Sequence, residues 1–457
     1  MKSLLKKVTC TVLVLGMLAQ CPQQLYAETI TDAAGTITDA AETITDAAGT
    51  DVSGEPGVTD PGNGTENEIT APDDTQPDDT QQPQLPVPAA IKGIHTTKQG
   101  KTKVCIEWNS SQNAFSYVVY RKTRSGEYKK LAKTKEPVYI DKTAATGKKY
   151  TYRVLAVNEE QNAGKAAEVT FSNTKAVQIR SQKYTYSQMK TDMQELAKQY
   201  SDYCEMTKIG TSVQGRAIYD FAIGNPKAKE SLLVVSTLHA REYICSAVLM
   251  KELEYYLENY NGTVGGVKPA KTLDKIQIHY IVMANPDGVT ISQTKNSTWK
   301  ANGRGVDLNR NFPAKPFIAG GKKGAQGYSG KKALSEPESY AVATLTQRLI
   351  KKQNLQGVVN YHAMGRIIFG DCNPSSIKKD TYRMYQIAKK NTGYSKAPDG
   401  GGKSSGGQYR EYVMYLLHTP SITIEIGSSA APCPYWQYET EFQKNKYVVM
   451  QISNALK

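Results

Sequence analysis

The sequence predicts two folded parts of different class, a small all-β domain over residues 91–175 and an α/β domain over residues 183–457. Short runs rich in β-branched and aromatic residues, separated by turn residues, predict the first part, because this spacing is typical of a β-sandwich. In the second part, apolar runs of strand length alternate with longer stretches of helical periodicity. That alternation indicates a sheet covered by helices on both faces.

The first 90 residues are expected to lie outside both domains. Residues 1–27 have a lysine-containing start and an apolar run, Val8–Leu18, that is too short to span a bilayer. This pattern is typical of an export signal cleaved after Ala27, and the alternative is a lipid-modified Cys21. Residues 28–90 contain 14 acidic and no basic side chains and begin with a repeated Thr-Ile-Thr-Asp-Ala-Ala, which predicts a disordered acidic tether.

Residues 91–457 are basic, since they hold 54 of the 57 Lys and Arg and 29 of the 43 Asp and Glu. A basic exported protein could associate with an anionic surface such as a bacterial wall polymer, and the alternative is a solvated lysine-rich surface. No motif supports binding to nucleic acid, and no later run is long and apolar enough for a membrane span. We therefore expect a secreted or cell-wall-associated protein.

Three strand-like runs support the all-β domain. Val104, Ile106 and Trp108 alternate with other residues, as in a strand that buries one face. Residues 117–121 and 150–157 are rich in tyrosine and valine and predict two more strands. An early core tryptophan followed by paired tyrosines resembles the fibronectin type III domains. That resemblance implies a spacer or a binding module, and nothing in the sequence names its ligand.

The elements of the α/β domain follow from hydrophobic periodicity. Buried strands are predicted at residues 232–237, 276–283, 357–361 and 421–426. Helices are predicted at residues 184–199, 243–260, 337–352 and 380–390. Ser335 and Glu338 predict a capping box at the start of the third helix.

Ionisable residues follow three of these strands. His239 and Glu242 come directly after the first strand, and His362 follows the third. Glu425 lies near the end of the fourth strand. Open α/β sheets bind ligands at the carboxyl ends of their strands, so these side chains are expected to meet. A histidine and a carboxylate three residues apart, joined by a distant histidine, can form a three-ligand zinc site whose open position allows chemistry on a bound water.

Taken singly, these residues also have structural explanations. A His-x-x-Glu spacing occurs on ordinary helix surfaces, and His362 beside Tyr361 could be a core histidine with satisfied hydrogen bonds. Glu425 is harder to explain in this way, because a carboxylate among isoleucines is costly to bury unless it is paired or functional.

Together, the residues of 183–457 resemble the zinc carboxypeptidases of the carboxypeptidase A type. The resemblance is carried by an ordered series of motifs: His239-Ala-Arg-Glu242, Asn285-Pro-Asp-Gly288, Gly305-Val-Asp-Leu-Asn-Arg-Asn-Phe312, Tyr328-Ser-Gly330, Ser335-Glu-Pro-Glu338, Tyr361-His362 and Ile424-Glu-Ile-Gly427. It implies a mixed central sheet flanked by helices on both faces and a peptidase that uses one zinc ion.

The resemblance also implies roles for individual residues. His239, Glu242 and His362 would hold Zn²⁺. Glu425 would take a proton from bound water and pass it to the leaving amine. Arg304, shortly after a tryptophan, would face the oxyanion of the tetrahedral intermediate, and the alternative is a surface arginine.

Asn309 and Arg310 match the pair that binds the terminal carboxylate of the substrate. A planar guanidinium suits this role because it meets a carboxylate through two hydrogen bonds. The alternative is a turn with a structural salt bridge. Their presence favours an exopeptidase that cuts near a free C-terminus.

The predicted side-chain pocket departs from the digestive carboxypeptidases. Those enzymes carry a mobile tyrosine three residues before a Ser-Gly-Gly, where this chain has Gly402 before Ser405. Tyr394 and Tyr409 are candidate substitutes, and neither is assigned. The residues after the glycines, Gln408-Tyr409-Arg410-Glu411-Tyr412, are expected to line the pocket, with Tyr409 and Arg410 as its candidate binding residues. This run is closer to bacterial relatives that act on peptidoglycan stem peptides. Arg410 could pair with a second carboxylate, as on diaminopimelate, or could point to solvent.

The cysteines do not indicate a disulfide framework, because five over residues 28–457 are few for this length and odd in number. Cys372 and Cys433 are expected on loops that flank the site, and we hypothesise a bridge between them.

Three functions are consistent with the sequence. The first is a secreted zinc metallocarboxypeptidase that releases C-terminal residues from peptides. The second is a peptidoglycan stem-peptide hydrolase that uses the same site to cut a γ-D-glutamyl or similar bond. The third is a surface binding protein whose β-sandwich engages a partner while the peptidase-like body is inert.

Overall fold

The computed structural model describes residues 84–457, except 124–125, 315–316, 318, 326, 372–373 and 399–405. The predicted export signal, most of the predicted tether, Cys372, Gly402 and Ser405 lie outside the described residues, so the hypothesised Cys372–Cys433 bridge stays a prediction. Among the helices that are described, none combines the length and the apolar character needed to cross a lipid bilayer.

The N-terminal part is built from two antiparallel sheets. One has the order β1-β2-β5, formed by His95–Lys98, Val104–Glu107 and Val138–Asp141. The other has the order β4-β3-β6-β7, formed by Lys129–Thr134, Ser116–Thr123, Lys148–Val157 and Ala167–Asn173. Val104, Ile106 and Trp108 are buried in a core to which both sheets contribute, as predicted. Cys105 between them is buried as well, so this strand buries both of its faces.

The described residues begin at residue 84, within the segment predicted as a tether. The N–H of Ala89 donates to the carbonyl of Gln112 at 3.0 Å, and the side chain of Asn158 donates to the carbonyl of Leu85 at 3.1 Å. These bonds hold the last residues of the predicted tether against the sandwich.

The three-stranded sheet of the sandwich contacts the α/β domain. Lys98 of β1 is buried there, with its Nζ 3.4 Å from Oε1 of Gln199 and 3.9 Å from Oε1 of Glu258. Nearby, the side chain of Asn261 donates to the carbonyl of Gln99 at 3.5 Å. This contact includes a buried charge that is paired, as burial requires.

The α/β domain has a mixed sheet, as predicted, and the sheet contains eight strands. In chain order these are β8 Cys204–Thr211, β9 Ala217–Ile223, β10 Glu230–Ser236, β11 Ile276–Ile281, β12 Leu355–Ala363, β13 Ile367–Phe369, β14 Ser395–Lys396 and β15 Ser421–Ile426. Their spatial order is β14-β13-β15-β12-β10-β11-β9-β8. The four central strands are mutually parallel, and antiparallel pairs occur toward both edges.

Helices cover both faces of this sheet, which confirms the predicted fold class. They are α1 Tyr186–Gln199, α2 Ile244–Glu258, α3 Pro269–Leu273, α4 Pro286–Thr294, α5 Pro337–Gln353, α6 Ser375–Thr392, α7 Tyr409–Glu411, α8 Tyr438–Asn445 and α9 Val448–Leu456. Alternate residues of β10 enter different apolar clusters: Leu232 and Val234 join the one that contains α2 and α9 residues, and Leu233 and Val235 join the one that contains α5 residues.

The predicted capping box at the start of α5 is wrong. The helix begins at Pro337 with Glu336 as its N-cap residue, and no side-chain bond closes the first turn. The hydroxyl of Ser335 donates to Oε1 of Glu336 at 2.9 Å, and the Glu338 carboxylate accepts the N–H of Val213 at 3.1 Å. Tertiary contacts therefore use the side chains that the pattern assigned to the cap.

Candidate active site

The carboxyl ends of β10, β12 and β15 lie side by side at one edge of the sheet, because these strands are parallel neighbours. His362 of β12 is paired directly with Glu425 of β15. The chain leaves β10 through Thr237, whose φ of 57° turns it sharply, and reaches His239 and Glu242 before α2 begins. The strand register therefore delivers all four predicted residues to one place.

Three of these side chains converge, with their metal-binding atoms within 4.8 Å of one another: His239, Glu242 and His362. All three are buried. Nδ1 of His239 is 2.8 Å from Oε1 of Glu242, and Nδ1 of His362 is 2.7 Å from Oε2 of the same carboxylate. The two Nδ1 atoms are 3.1 Å apart.

This donor set fits a zinc ion. Two imidazole nitrogens and one carboxylate are the ligands of many catalytic zinc sites, at bond lengths of about 2.0–2.2 Å. Two Nδ1 atoms 3.1 Å apart would repel if both carried a proton, whereas a cation bonded to each would hold them together. His239 and His362 with Glu242 could therefore hold one zinc ion and leave a fourth position open to water.

The charges around the three residues reinforce one another. Burial alone would lower the pKa of His239, but the carboxylates of Glu242 and Asp307 raise it to about 9. Burial alone would raise the pKa of Glu242, but the two imidazoles hold it well below its usual range. Burial lowers the pKa of His362, although the negative charge of Glu242 acts to raise it. Glu242 is therefore ionised, as a metal-binding carboxylate must be.

Asp307 connects this cluster to a neighbouring cation. Its Oδ1 is 3.2 Å from Nε2 of His239, and its Oδ2 is 3.0 Å from Nζ of Lys300. Burial alone would raise the pKa of Asp307, but His239 and then Lys300 hold it well below its usual range. The ionised carboxylate orients the His239 ring from the side opposite its Nδ1, as partners of metal-binding histidines do.

Glu425 lines the same cavity as the three converging residues. Burial raises the pKa of Glu425 to about 8, and the negative charge of Glu242 adds to the shift. A buried carboxyl with a pKa near neutrality exchanges its proton readily, which is the property required of a general base.

A 3₁₀ turn places Asn309 and Arg310 on the wall of the cavity. Asp307 caps this turn by accepting the N–H of Asn309 at 3.0 Å. Oδ1 of Asn309 accepts the N–H of Tyr409 at 2.9 Å, and Nδ2 lies 3.5 Å from Nε2 of His362. The predicted carboxylate-binding pair thus lies next to the metal-binding residues.

Gly407 approaches this turn so closely that a side chain would not fit. Its φ is +67°, and a Cβ at this position would lie 2.0 Å from the carbonyl oxygen of Arg310. Its own carbonyl accepts the N–H of Phe312 at 3.0 Å. The second glycine of the Ser-Gly-Gly segment therefore holds the turn in place.

These residues surround a cavity of about 600 Å³. Its charged lining, within the described part of the chain, combines four cations with two carboxylates: Arg241, Lys300, Arg310, Arg410, Glu242 and Glu425. Before any metal is added, cationic side chains in this lining therefore outnumber carboxylates. Such a cavity suits a substrate with more than one negative charge.

Arg304 is not brought to the cavity. Oδ1 of Asn302 accepts the N–H groups of Arg304 and Val306 at 2.9 and 3.0 Å, so the loop closes around Asn302. This closure leaves the Arg304 side chain 53% exposed, with Nη1 3.8 Å from Oε2 of Glu336. Lys300 lines the cavity instead, four residues earlier.

Only one of the two predicted pocket residues lies at the cavity. Arg410 lines the cavity, and its guanidinium donates to the carbonyl of Asp371. The Tyr409 ring does not reach the cavity, because it is fully buried with its hydroxyl 2.8 Å from Thr346 Oγ1. Tyr394 is also buried, and its hydroxyl donates to Glu441. No tyrosine is found among the cavity-lining residues of the described segments.

Sequence reasoning missed several lining residues, and three of them had a usable signal. Arg241 lies within the His239–Glu242 motif itself, and Lys300 directly follows Trp299. Thr423 lies two residues before Glu425 on the same strand, so both face the cavity. Met364, Phe369 and Ala431 line it through loops or neighbouring strands whose positions no motif indicated. Gln408, which the run after the two glycines predicted as a lining residue, also lines the cavity.

Comparison with known proteins agrees with this geometry. The profile of the zinc carboxypeptidase family, peptidase family M14, matches residues 189–446. The γ-D-glutamyl-L-diamino acid endopeptidase 1 of Lysinibacillus sphaericus is 29% identical over 290 residues, which cover 58% of this chain and 70% of that protein. Carboxypeptidase O of Bos taurus is 25% identical over 221 residues, covering 46% of this chain and 58% of that protein.

Solved structures show the same fold. The crystal structure of thrombin activatable fibrinolysis inhibitor superposes with a TM-score of 0.53 at 20% identity, covering 62% of this chain and 75% of that one. At this identity the likeness establishes the arrangement of strands and helices, and the chemistry depends on the residues described above.

Proposed function

The chain belongs to the zinc carboxypeptidase family and is a peptide hydrolase, and from this premise we propose that it is an exported enzyme that cleaves a peptide bond next to a residue with a free carboxylate. The observation that carries the proposal is the convergence of His239, Glu242 and His362 beside Glu425, in a cavity that Arg310 also lines. Export is proposed from the signal-like pattern of residues 1–27.

In this proposal His239, Glu242 and His362 hold the zinc ion. When bound, zinc lowers the pKa of a coordinated water and polarises the scissile carbonyl. The chain contributes the fixed geometry of the ligands, since Asp307 orients His239 and the N–H of Ala363 lies 3.3 Å from Oε2 of Glu242.

Glu425 is the proposed general base. Its place on β15 opposite His362 brings its carboxylate to the edge of the metal-binding cluster. It takes a proton from the attacking water and gives it to the amine that leaves. General acid–base groups of this kind contribute typically 10²–10⁴-fold to a rate.

Lys300 is the proposed cation for the oxyanion, in place of Arg304. Its Nζ is fixed by Asp307 at 3.0 Å, and the side chain lines the cavity. Arg241 also lines the cavity, and a second cation there would share the developing negative charge. Asn309 and Arg310 are proposed to bind the substrate carboxylate through the guanidinium fork and the side-chain amide.

Peptidoglycan stem peptides are the second candidate substrate. Two observations favour them: the 29% identity to a γ-D-glutamyl-L-diamino acid endopeptidase, and a second arginine, Arg410, that lines the cavity together with Arg310. A diamino acid with two carboxylates could engage both arginines. An inert binding protein is not favoured, because the metal-binding residues, Glu425 and Arg310 are all present in one cavity.

Product profiling by mass spectrometry tests the proposal and separates the two substrates. The zinc-loaded full chain is incubated with ordinary peptides, with the same peptides amidated at the C-terminus, and with muropeptides. We expect cleavage that needs a free carboxylate and stops with a chelator. Cleavage of muropeptides alone would select the second candidate, and equal cleavage of amidated peptides would contradict the role of Arg310.

A further inference from the structure

The outer face of the four-stranded sheet β4-β3-β6-β7 is strongly basic. Residues directly opposite each other in an antiparallel pair point to the same side of the sheet. Tyr120 of β3 is opposite Lys130 of β4 and Arg153 of β6, and Arg153 is opposite Glu168 of β7. Tyr152, the next residue of β6, is buried in the core, so the row through Arg153 lies on the outer face.

Extending this register identifies the charged groups of the face, which we call the outer basic face: Lys122, Lys130, Lys133, Lys149, Arg153 and Glu168. The single carboxylate, Glu168, is already paired with Arg153 at 2.8 Å. Among the described residues, no ion pair joins any of the four lysines to a carboxylate. Four positive charges therefore remain uncompensated on one side of one sheet.

This charge is concentrated in the sandwich and faces away from the catalytic domain. Residues 91–175 hold 17 basic and 7 acidic side chains. The much longer segment 176–457 holds 37 basic and 22 acidic side chains. The contact with the α/β domain is made by the other sheet, through Lys98 and its partners. The outer basic face is thus available to a partner while the active site works.

Hydroxyl groups lie between the cations. Thr151 is opposite Lys122 and Thr170, and Ser172 is opposite Lys149. Neighbouring strands are about 4.8 Å apart and residues two apart on a strand about 7 Å, so Lys149, Thr151 and Arg153 of β6 present a cation, a hydroxyl and a second cation at intervals of about 7 Å. Lysine binds phosphate as a point charge, and hydroxyls donate to its oxygens.

We propose that the outer basic face binds a linear phosphodiester polymer and so holds the peptidase on a polyanionic matrix. Single-stranded nucleic acid is disfavoured as the occupant, because base stacking needs exposed rings. The ring of Tyr128 beside this face is already covered by Arg153 at 3.9 Å and Lys122 at 4.4 Å. The inference is independent of the catalytic proposal.

The test compares two triple variants of the full chain with equal charge change. The face variant replaces three exposed lysines of the outer basic face by glutamine: Lys130, Lys133 and Lys149. The control variant replaces three lysines that are exposed elsewhere on the sandwich by glutamine: Lys103, Lys142 and Lys165. Binding to poly(glycerol phosphate) is measured as a function of salt, alongside duplex DNA and vesicles of anionic lipid.

We expect the face variant to lose at least tenfold in affinity at low salt. Its log–log salt slope should fall by about 2, since each lost phosphate contact removes roughly 0.7–0.9. The control should stay within about twofold, and both variants should keep the melting temperature and the hydrolysis of a small soluble substrate. Equal losses in the two variants, tighter binding to DNA or vesicles than to the polymer, or no binding to the polymer would each overturn the proposal.

Discussion

In the proposed mechanism, Glu425 is the side chain that turns a metal-binding cluster into a hydrolytic site. The three ligands can hold and polarise water, but a proton must still move from the water to the leaving amine. Glu425 is placed for this by the β12–β15 register and is tuned for it by burial, which raises its pKa to about 8. A zinc ion bound nearby would favour its ionised form, because an opposite charge lowers the pKa of a carboxyl group.

Replacing Glu425 by glutamine removes this proton transfer while keeping the shape of the side chain. We expect Glu425→Gln to lower kcat by about 10²–10⁴-fold and to retain one zinc per chain. Thr423→Ser, on the same face of the same strand, is the matched control and should keep most of the activity. Near-normal turnover by a zinc-loaded Glu425→Gln protein would show that another group is the base.

Substitutions of Lys300 and Arg304 should have opposite effects on catalysis, because only Lys300 lines the cavity. Lys300→Met should lower kcat/KM by about 10²–10³-fold, as removal of an oxyanion donor does, with zinc content unchanged. Lys300→Arg should recover part of the loss, and Arg304→Met should stay within about twofold of wild type. A large loss in Arg304→Met alone would restore the assignment that the sequence suggested.

Activity should depend on Gly407 because its lack of a side chain lets the backbone of Arg310 approach, and not because glycine is flexible. Gly407→Ala places a Cβ 2.0 Å from the Arg310 carbonyl oxygen, so the turn must move. We expect at least a tenfold loss of kcat/KM on substrates with a free carboxylate, measured by steady-state kinetics. Gly393→Ala is the control, because its φ of +69° is nearly the same but nothing lies within 4 Å of its added Cβ. Equal losses in the two variants would point to backbone strain alone.

At the scale of elements, α2 carries a buried acid that the chemistry does not use. Glu252 is fully buried, and burial raises its pKa to about 8 against the hydrogen bond from Tyr280. Below about pH 8 the folded state keeps this carboxyl protonated, whereas the unfolded chain releases the proton near pH 4.3. The contribution of Glu252 to stability should therefore be largest below about pH 4 and should fall as pH rises toward 8.

Glu252→Gln should remove this pH dependence. Between about pH 5 and 8, wild-type stability should fall about 1.4 kcal/mol per pH unit more steeply than that of the variant, with little further difference above pH 8. Chemical unfolding of both proteins across pH 5–9 measures the difference. Parallel profiles would show that Glu252 is ionised in the folded protein at neutral pH.

Hydrophobic periodicity predicted the elements that position the site, but not every detail of them. Strand 421–426 was placed to the residue, because four of its six residues are β-branched. The capping box at Ser335 failed because a local pattern cannot reveal that Val213, far away in sequence, competes for Glu338. Arg304 failed for a similar reason, since the turn around Asn302 decides where that side chain points.

At the scale of the whole molecule, motif order predicted more of the site than any single motif. The metal-binding residues come from a loop after β10 and from β12, more than a hundred residues apart, and only the strand order unites them. The cavity lining from Phe369 and Ala431 was not predictable, because these residues meet only once the sheet and its loops are assembled. The basic face of the sandwich required the register of four strands, which no local pattern reveals.

Anomalous X-ray diffraction at the zinc edge, on crystals of the full chain grown with zinc, tests the central claim most directly. We expect one strong peak about 2.0–2.2 Å from Nδ1 of His239, Nδ1 of His362 and the Glu242 carboxylate, with Glu425 lining the same cavity but not coordinating. A fully loaded protein whose zinc lies elsewhere, or the absence of any peak among these three side chains, would contradict the account.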